Sequence, residues 1–254
     1  MGKWKKWLSA GLFTAMLGTA IIAGPTADVS ANAGNKPYNI ENVSPDAQLA
    51  PSVGDSSSKT SSKAWHKIDG VCYNGSGKKV EGAITRGMDV SEWQGKINWK
   101  EAKKDLDFAF VRISYGTRHL DDYYDYNMTE AEAADVPVGT YVYSLAKTNK
   151  EALAEAQLAI RQMQGHKVSY PVAFDLEDEA TLGTLTRKEI SQIALTFCDE
   201  IRKAGYTPIL YMNLNWYNNF VDWNVLEGSG LDVWIASYGD TIFAPSTSKY
   251  KYTI

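Results

Sequence analysis

Two carboxylates stand two residues apart at the end of an apolar run, in Tyr170-Pro-Val-Ala-Phe-Asp-Leu-Glu-Asp178. The run is too short for a helix. It reads as a buried strand, Tyr170–Glu177, whose last residues reach the rim of a sheet. On a strand, Asp175 and Glu177 point to one side and Leu176 to the other. Two carboxyls side by side on an apolar wall repel each other and lose hydration, so one ionises while its neighbour keeps its proton. Cleavage of a glycosidic bond needs such a pair. A D-x-E triplet alone is a weak signal, and two solvated acids in a loop after a strand would read the same way.

The pair needs a scaffold, and the chain from Ile84 onward supplies one. Strand signals at 84–90, 108–113, 138–143, 170–177, 207–212 and 231–236 alternate with helix signals. The helices announce their starts. Asn98 is followed by Glu101, Thr148 by Glu151 and Thr186 by Glu189, each a cap with an acid three residues on. Ile190, Ile193, Phe197, Ile201 and Ala204 form one apolar stripe ended by Gly205, and Leu153, Ala156, Ile160 and Met163 form another ended by Gly165. Such alternation predicts an α/β fold with a mostly parallel sheet covered by helices. Six strands in about 150 residues suit an irregular TIM-like (β/α) barrel better than an open sheet. Asp89, Ser114, Tyr143, Asp175, Glu177, Tyr211, Asn213 and Tyr238 all fall at or just past strand C-termini, the rim where barrel enzymes hold their sites.

The motifs along this alternation are Gly87-Met-Asp-Val-Ser-Glu-Trp-Gln-Gly95, Phe110-Val-Arg-Ile-Ser-Tyr-Gly116, Val138-Gly-Thr-Tyr-Val-Tyr143, Val172-Ala-Phe-Asp-Leu-Glu177, Leu210-Tyr-Met-Asn213 and Val233-Trp-Ile-Ala-Ser-Tyr238. In this order and spacing they resemble glycoside hydrolase family 25, the Chalaropsis-type lysozymes. The resemblance implies an irregular barrel that cuts the β-1,4 bond between N-acetylmuramic acid and N-acetylglucosamine in peptidoglycan. It implies Glu177 as general acid, Asp175 as its companion carboxylate and Asp89 in the floor of the cleft. Tyr143, Tyr211 and Asn213 match cleft-lining positions, and Trp234 and Tyr238 match an aromatic rim. Arg112 is left between a structural ion pair and a site role. Spacing alone allows a nucleophile or a water-activating route, and the substrate that the resemblance implies adds a third, in which the sugar's own 2-acetamido group attacks. The family pattern continues beyond Ile254 with a further strand and a cleft aspartate, so the chain reads as truncated, with poor folding and weak lysis expected. A wall-binding protein without catalysis is the alternative.

Bulk properties narrow the field. The chain has 254 residues, 44% of them apolar, and a net charge of −4, which argues against a nucleic-acid partner. Cys72 and Cys198 form no C-x-x-C pair, so no zinc or redox motif is present and no cofactor is expected. A magnesium site on Asp89, Asp175 and Glu177 lacks a phosphate cradle beside it.

The N-terminus reads as an export signal over residues 1–33. Lys3, Lys5 and Lys6 precede an apolar stretch from Leu8 to Gly24, and Ala31-Asn-Ala33 has the form of a cleavage site. A polar linker at 34–63, a β-hairpin flap at 64–82 turning at Asn74-Gly75 and the barrel from 83 onward complete the expected organisation. The expected product is a secreted or wall-associated monomer, without stable membrane insertion, whose partner is the peptidoglycan glycan strand.

Overall fold

The computed structural model describes residues 11–13, 66–74, 77–83 and 85–236. The first strands are β1 (Gly11–Phe13), β2 (His66–Ile68), β3 (Val71–Tyr73) and β4 (Thr85–Val90). A one-turn 3-10 helix (Glu92–Gln94) and α1 (Trp99–Ala102) follow, then β5 (Phe108–Tyr115), β6 (His119–Leu120), α2 (Tyr124–Ala133), β7 (Val138–Tyr143) and α3 (Asn149–Met163). The chain continues through β8 (Val168–Asp175), α4 (Glu179–Leu182), α5 (Arg187–Lys203), β9 (Pro208–Asn213), α6 (Leu214–Asn219), α7 (Trp223–Leu226) and β10 (Asp232–Ala236).

Strands β4, β5, β7, β8, β9 and β10 lie side by side in chain order, all parallel. No reversal interrupts the order, which is barrel winding rather than doubly wound winding. The sheet curls as a parallel half-barrel. This is the described extent of the expected TIM-like barrel, and the seventh strand expected near 249–254 lies outside the described residues. At the free edge, β1 pairs in parallel with Thr85–Gly87. The rest of the expected export signal and the linker also lie outside the described residues.

The outer face of the sheet packs on helices. Met88, Val111, Val142, Val172, Phe174 and Leu210 join Ala156, Met163, Ile193, Phe197 and Ile201 in one core. Phe197 of α5 stacks on Phe174 of β8 at 4.0 Å between centroids, directly behind the acid strand. Burying two such rings contributes on the order of 5 kcal/mol, so Phe174→Ala should cost about 3–5 kcal/mol. The inner face carries a second cluster, Phe108, Phe110, Ala173, Ile209 and Trp234, with Tyr141, Tyr170 and Tyr211 against it. Close approach explains Gly139 on that face: a Cβ there would sit 2.6 Å from the Pro171 carbonyl oxygen and 2.7 Å from the Phe110 ring.

Several expectations need correction. Strand β8 starts at Val168 and stops at Asp175, so Glu177 lies past the strand, not on it. The hairpin turns at Asp69-Gly70, both with positive φ, rather than at Asn74-Gly75. The chain does turn again after Asn74, returning Lys79 to Tyr73. Helix α3 has half a capping box. Thr148 accepts from the Glu151 N–H, but the Glu151 carboxylate accepts from Lys147 N–H instead. Helix α5 has the complete box on Thr186 and Glu189. The two-residue strand β6 and the one-turn helices α4 and α7 carry no periodic signal and were not anticipated. Cys72 and Cys198 are both buried and free.

Candidate active site

Parallel register aligns the site. Tyr115 pairs with Tyr143, Tyr143 with Asp175, Asp175 with Tyr211, and Tyr211 with Trp234. These five residues therefore form one row across β5, β7, β8, β9 and β10, at or next to the strand C-termini. The sequence pointed to four of the five; Tyr115 was missed. Its place depends on an irregularity between Arg112 and Ser114, which shifts the register by one residue. Without that shift Ser114, not Tyr115, would face Tyr143. The two rings stack at 4.8 Å. Asp89 sits deeper, paired with Phe110, which pairs in turn with Gly139. Trp234 also lies deeper than a rim: only 5% exposed, it packs against Phe110 at 5.1 Å and Tyr211 at 4.5 Å. Tyr238 lies outside the described residues.

Although Glu177 leaves the strand, it stays with Asp175. Its backbone N–H donates to the Asp175 carboxyl, and the two acids interact electrostatically. Asn213 aims at Glu177 from the next strand. Its Oδ1 is occupied by the N–H of Trp216, at 3.0 Å, where it caps α6. That fixes the amide so that its NH2 group donates to Glu177, joined by the Asn213 backbone N–H. One side chain thus starts a helix and orients an acid.

Burial dominates the electrostatics. Glu177 is pushed up to about 7, mainly by desolvation, with Asn213 pulling the other way. Asp89 is pushed up to about 6 by desolvation. Asp175, 5% exposed, is held well above the usual carboxylate range by burial and then by the charges of Glu177 and Asp89. The coupled pair therefore keeps a proton at neutral pH. Asp175 Oδ1 and Glu177 Oε1 are buried without a hydrogen-bond partner among the described residues.

Arg112 is a structural ion-pair residue. Its Nε donates to Asp121 at 2.9 Å and a terminal nitrogen stands 2.9 Å from Glu92. Glu92 in turn contacts His119 at 2.8 Å. The guanidinium thus has two carboxylates of its own beside the acid pair. Two further residues were missed. Tyr141, on the inner face, feels the charges of Asp89 and Asp175, and burial holds its phenol protonated. The alternation Gly139-Tyr141-Tyr143 could have revealed it. Glu155 on α3, 2% exposed, accepts from Ser144 Oγ at 2.8 Å and Leu145 N–H at 3.0 Å, and burial pushes it up to about 7. Ser144 N–H donates to the Asp175 carbonyl, so Glu155 anchors the loop beside the site. Among the described residues no group of three acid, histidine or cysteine side chains is arranged to hold a metal ion.

An acid pair, Asp175 buried and Glu177 half-buried, and a row of rings at the strand C-termini of a curled parallel sheet match the layout of a barrel-type glycoside hydrolase. The sequence model of the glycosyl hydrolases family 25 matches residues 88–253, and the chain belongs to that family. Lysozyme M1 of Streptomyces globisporus is 26% identical over 164 residues, covering 61% of this chain and 55% of that protein. The uncharacterized protein YegX of Escherichia coli K12 is 26% identical over 139 residues, covering 52% and 49%. The chain spans about half the length of the curated relatives it matches. Among solved structures, a family 25 glycosyl hydrolase from Bacillus anthracis superposes with a TM-score of 0.56 at 22% identity, covering 78% of this chain and 85% of that one. The autolysin LytC of Streptococcus pneumoniae gives 0.58 at 22% identity, covering 70% and 44%. These similarities concern the fold.

Proposed function

We propose that the protein is a peptidoglycan muramidase that hydrolyses the β-1,4 bond between N-acetylmuramic acid and N-acetylglucosamine. One observation carries this reading: a desolvated carboxyl pair that keeps a proton at neutral pH, set in a row of aromatic rings at the barrel rim. Glu177 is the general acid. It protonates the glycosidic oxygen as the bond to the anomeric carbon breaks. The 2-acetamido oxygen of the muramic residue attacks that carbon, and Asp175 orients and stabilises the resulting cyclic cation. Water then opens the ring and returns a proton to Glu177. Asp89, below the pair, adds negative charge that favours the cationic transition state. Tyr143, Tyr211 and Asn213 line the cleft. Residues 1–33 direct export, so the enzyme acts on walls outside the membrane. Among the described residues no helix is long and apolar enough to cross one.

The test is digestion of purified bacterial murein, followed by mass spectrometry of the new reducing ends. Reducing N-acetylmuramic acid that appears with the parent and not with Glu177→Gln supports the reading. Wall retention without new ends points to a binding protein instead. A covalent sugar ester trapped on Asp175 or Asp89 would overturn the substrate-assisted step.

A further inference from the structure

Tyr115 belongs to no part of the mechanism above, yet the fold takes trouble to place it. The shifted register on β5 brings it level with Tyr143 and so with Asp175. Its ring lies nearly parallel to that of Tyr143, 17° between planes and 4.8 Å between centroids. Its hydroxyl donates to Asp178 Oδ2 at 3.1 Å, and the other Asp178 oxygen accepts from the Thr181 N–H at 2.8 Å to cap α4. Asp178 follows Glu177 directly, so the phenol is tied to the segment that carries the acid. Burial and the Asp178 charge keep the hydroxyl protonated and donating. Held at both ring and hydroxyl, Tyr115 still leaves 37% of its surface exposed, whereas Asp175 and Trp234 in the same row are nearly covered.

We propose that Tyr115 is a sugar-stacking residue: its exposed ring carries one pyranose of the glycan on the β5 side of the cleft, extending the row that ends at Trp234. A hexosamine ring offers an apolar face of axial C–H bonds, which packs on a flat aromatic surface, and a ring already locked in place loses little freedom when it does so. The Asp178 bond sets the tilt of that surface relative to Glu177, coupling where the sugar sits to where the proton is delivered. The proposal rests on the muramidase reading and names a binding contact for it.

The experiment measures binding of a purified murein tetrasaccharide, two N-acetylglucosaminyl-N-acetylmuramic acid units, by calorimetry in the Glu177→Gln background. Tyr115→Ala should weaken binding by about tenfold or more, and Tyr115→Phe should restore it to within about threefold. Steady-state assays on soluble murein with the active enzyme should show Tyr115→Ala raising KM more than it lowers kcat. If Tyr115→Ala fails to fold, Tyr115→Leu, which keeps apolar bulk but no flat face, should show the same loss. Equal affinity of the alanine or leucine variant and its parent would overturn the proposal while leaving the hydrolase intact. A Glu177→Gln parent that binds no tetrasaccharide would overturn the muramidase reading and this contact with it.

Discussion

The two ends of the half-barrel treat acidic side chains in opposite ways. At the N-terminal end, Asp107 takes Lys67 Nζ on both oxygens, at 2.9 and 2.7 Å, and the Arg86 N–H at 2.7 Å. The hairpin of β2 and β3 is fastened there, and Arg86 also reaches the Asp105 carbonyl at 2.8 Å. At the C-terminal end, Asp175 feels the charges of Glu177 and Asp89, and the nearby cation Arg112 is already held by Asp121 and Glu92. Asp107 at one end is neutralised in place and stabilises; Asp175, Glu177 and Asp89 at the other are desolvated, lack a cation of their own among the described residues and are left to hold protons. The contrast separates fastening from chemistry, and each prediction below either widens or erases it.

Glu177→Gln removes the proposed proton donor and nothing else of comparable size. We expect kcat on murein to fall about a thousandfold, as for loss of a positioned general acid, with the fold intact by circular dichroism. Asn213→Ala deletes the side-chain donor to Glu177, leaving the backbone N–H in place, and also the cap of α6. With its pull gone, Glu177 should titrate higher still, moving the alkaline limb of kcat/KM upward. Thermal unfolding should show a loss of about 1 kcal/mol from the cap.

Asp89→Asn tests the cost of crowding. The folded-state value of about 6 lies above the ordinary 3.8. A raised acid binds its proton more tightly in the folded state, so stability falls as pH rises between those values and stays reduced above them. Neutralising Asp89 should therefore raise stability by about 3 kcal/mol at pH 8, or roughly 6–12 °C in Tm. The gain should vanish near pH 3.5 while activity drops. At the other end Lys67→Met should lower stability by under about 1 kcal/mol, because the pair is partly exposed, and should leave murein cleavage unchanged. A large activity loss there would break the division between the two ends.

Much of this was legible in the sequence because local chemistry agreed with the tertiary outcome. The Thr186–Glu189 box, the stripe from Ile190 to Ile201 and the β-rich runs each specify their element without help from neighbours. Asp175 was legible in the same way, as an acid ending an apolar strand, whereas the expectation that Glu177 shares that strand was not met. What escaped was set by contacts distant in sequence. Glu177 sits beyond β8 because Asp178 is committed to capping α4 and Asn213 draws the Glu177 carboxyl from the next strand. Tyr115 was hidden because a one-residue register shift changes which side chain faces Tyr143 and leaves no mark in composition. Trp234 looked like a rim residue by motif, but the curl of the sheet puts it between Phe110 and Tyr211. Glu155 gave no signal beyond being an acid on an apolar helix face.

The central claim is that burial leaves a proton on the pair near neutral pH, with Glu177 as its donor. Carboxyl carbon NMR of selectively labelled protein follows that proton directly. The account predicts a Glu177 midpoint near 7, with the Asp175 and Glu177 curves distorted by their mutual coupling and a simpler curve for Glu177 in Asp175→Asn. Independent titration of both acids near 4 would contradict it.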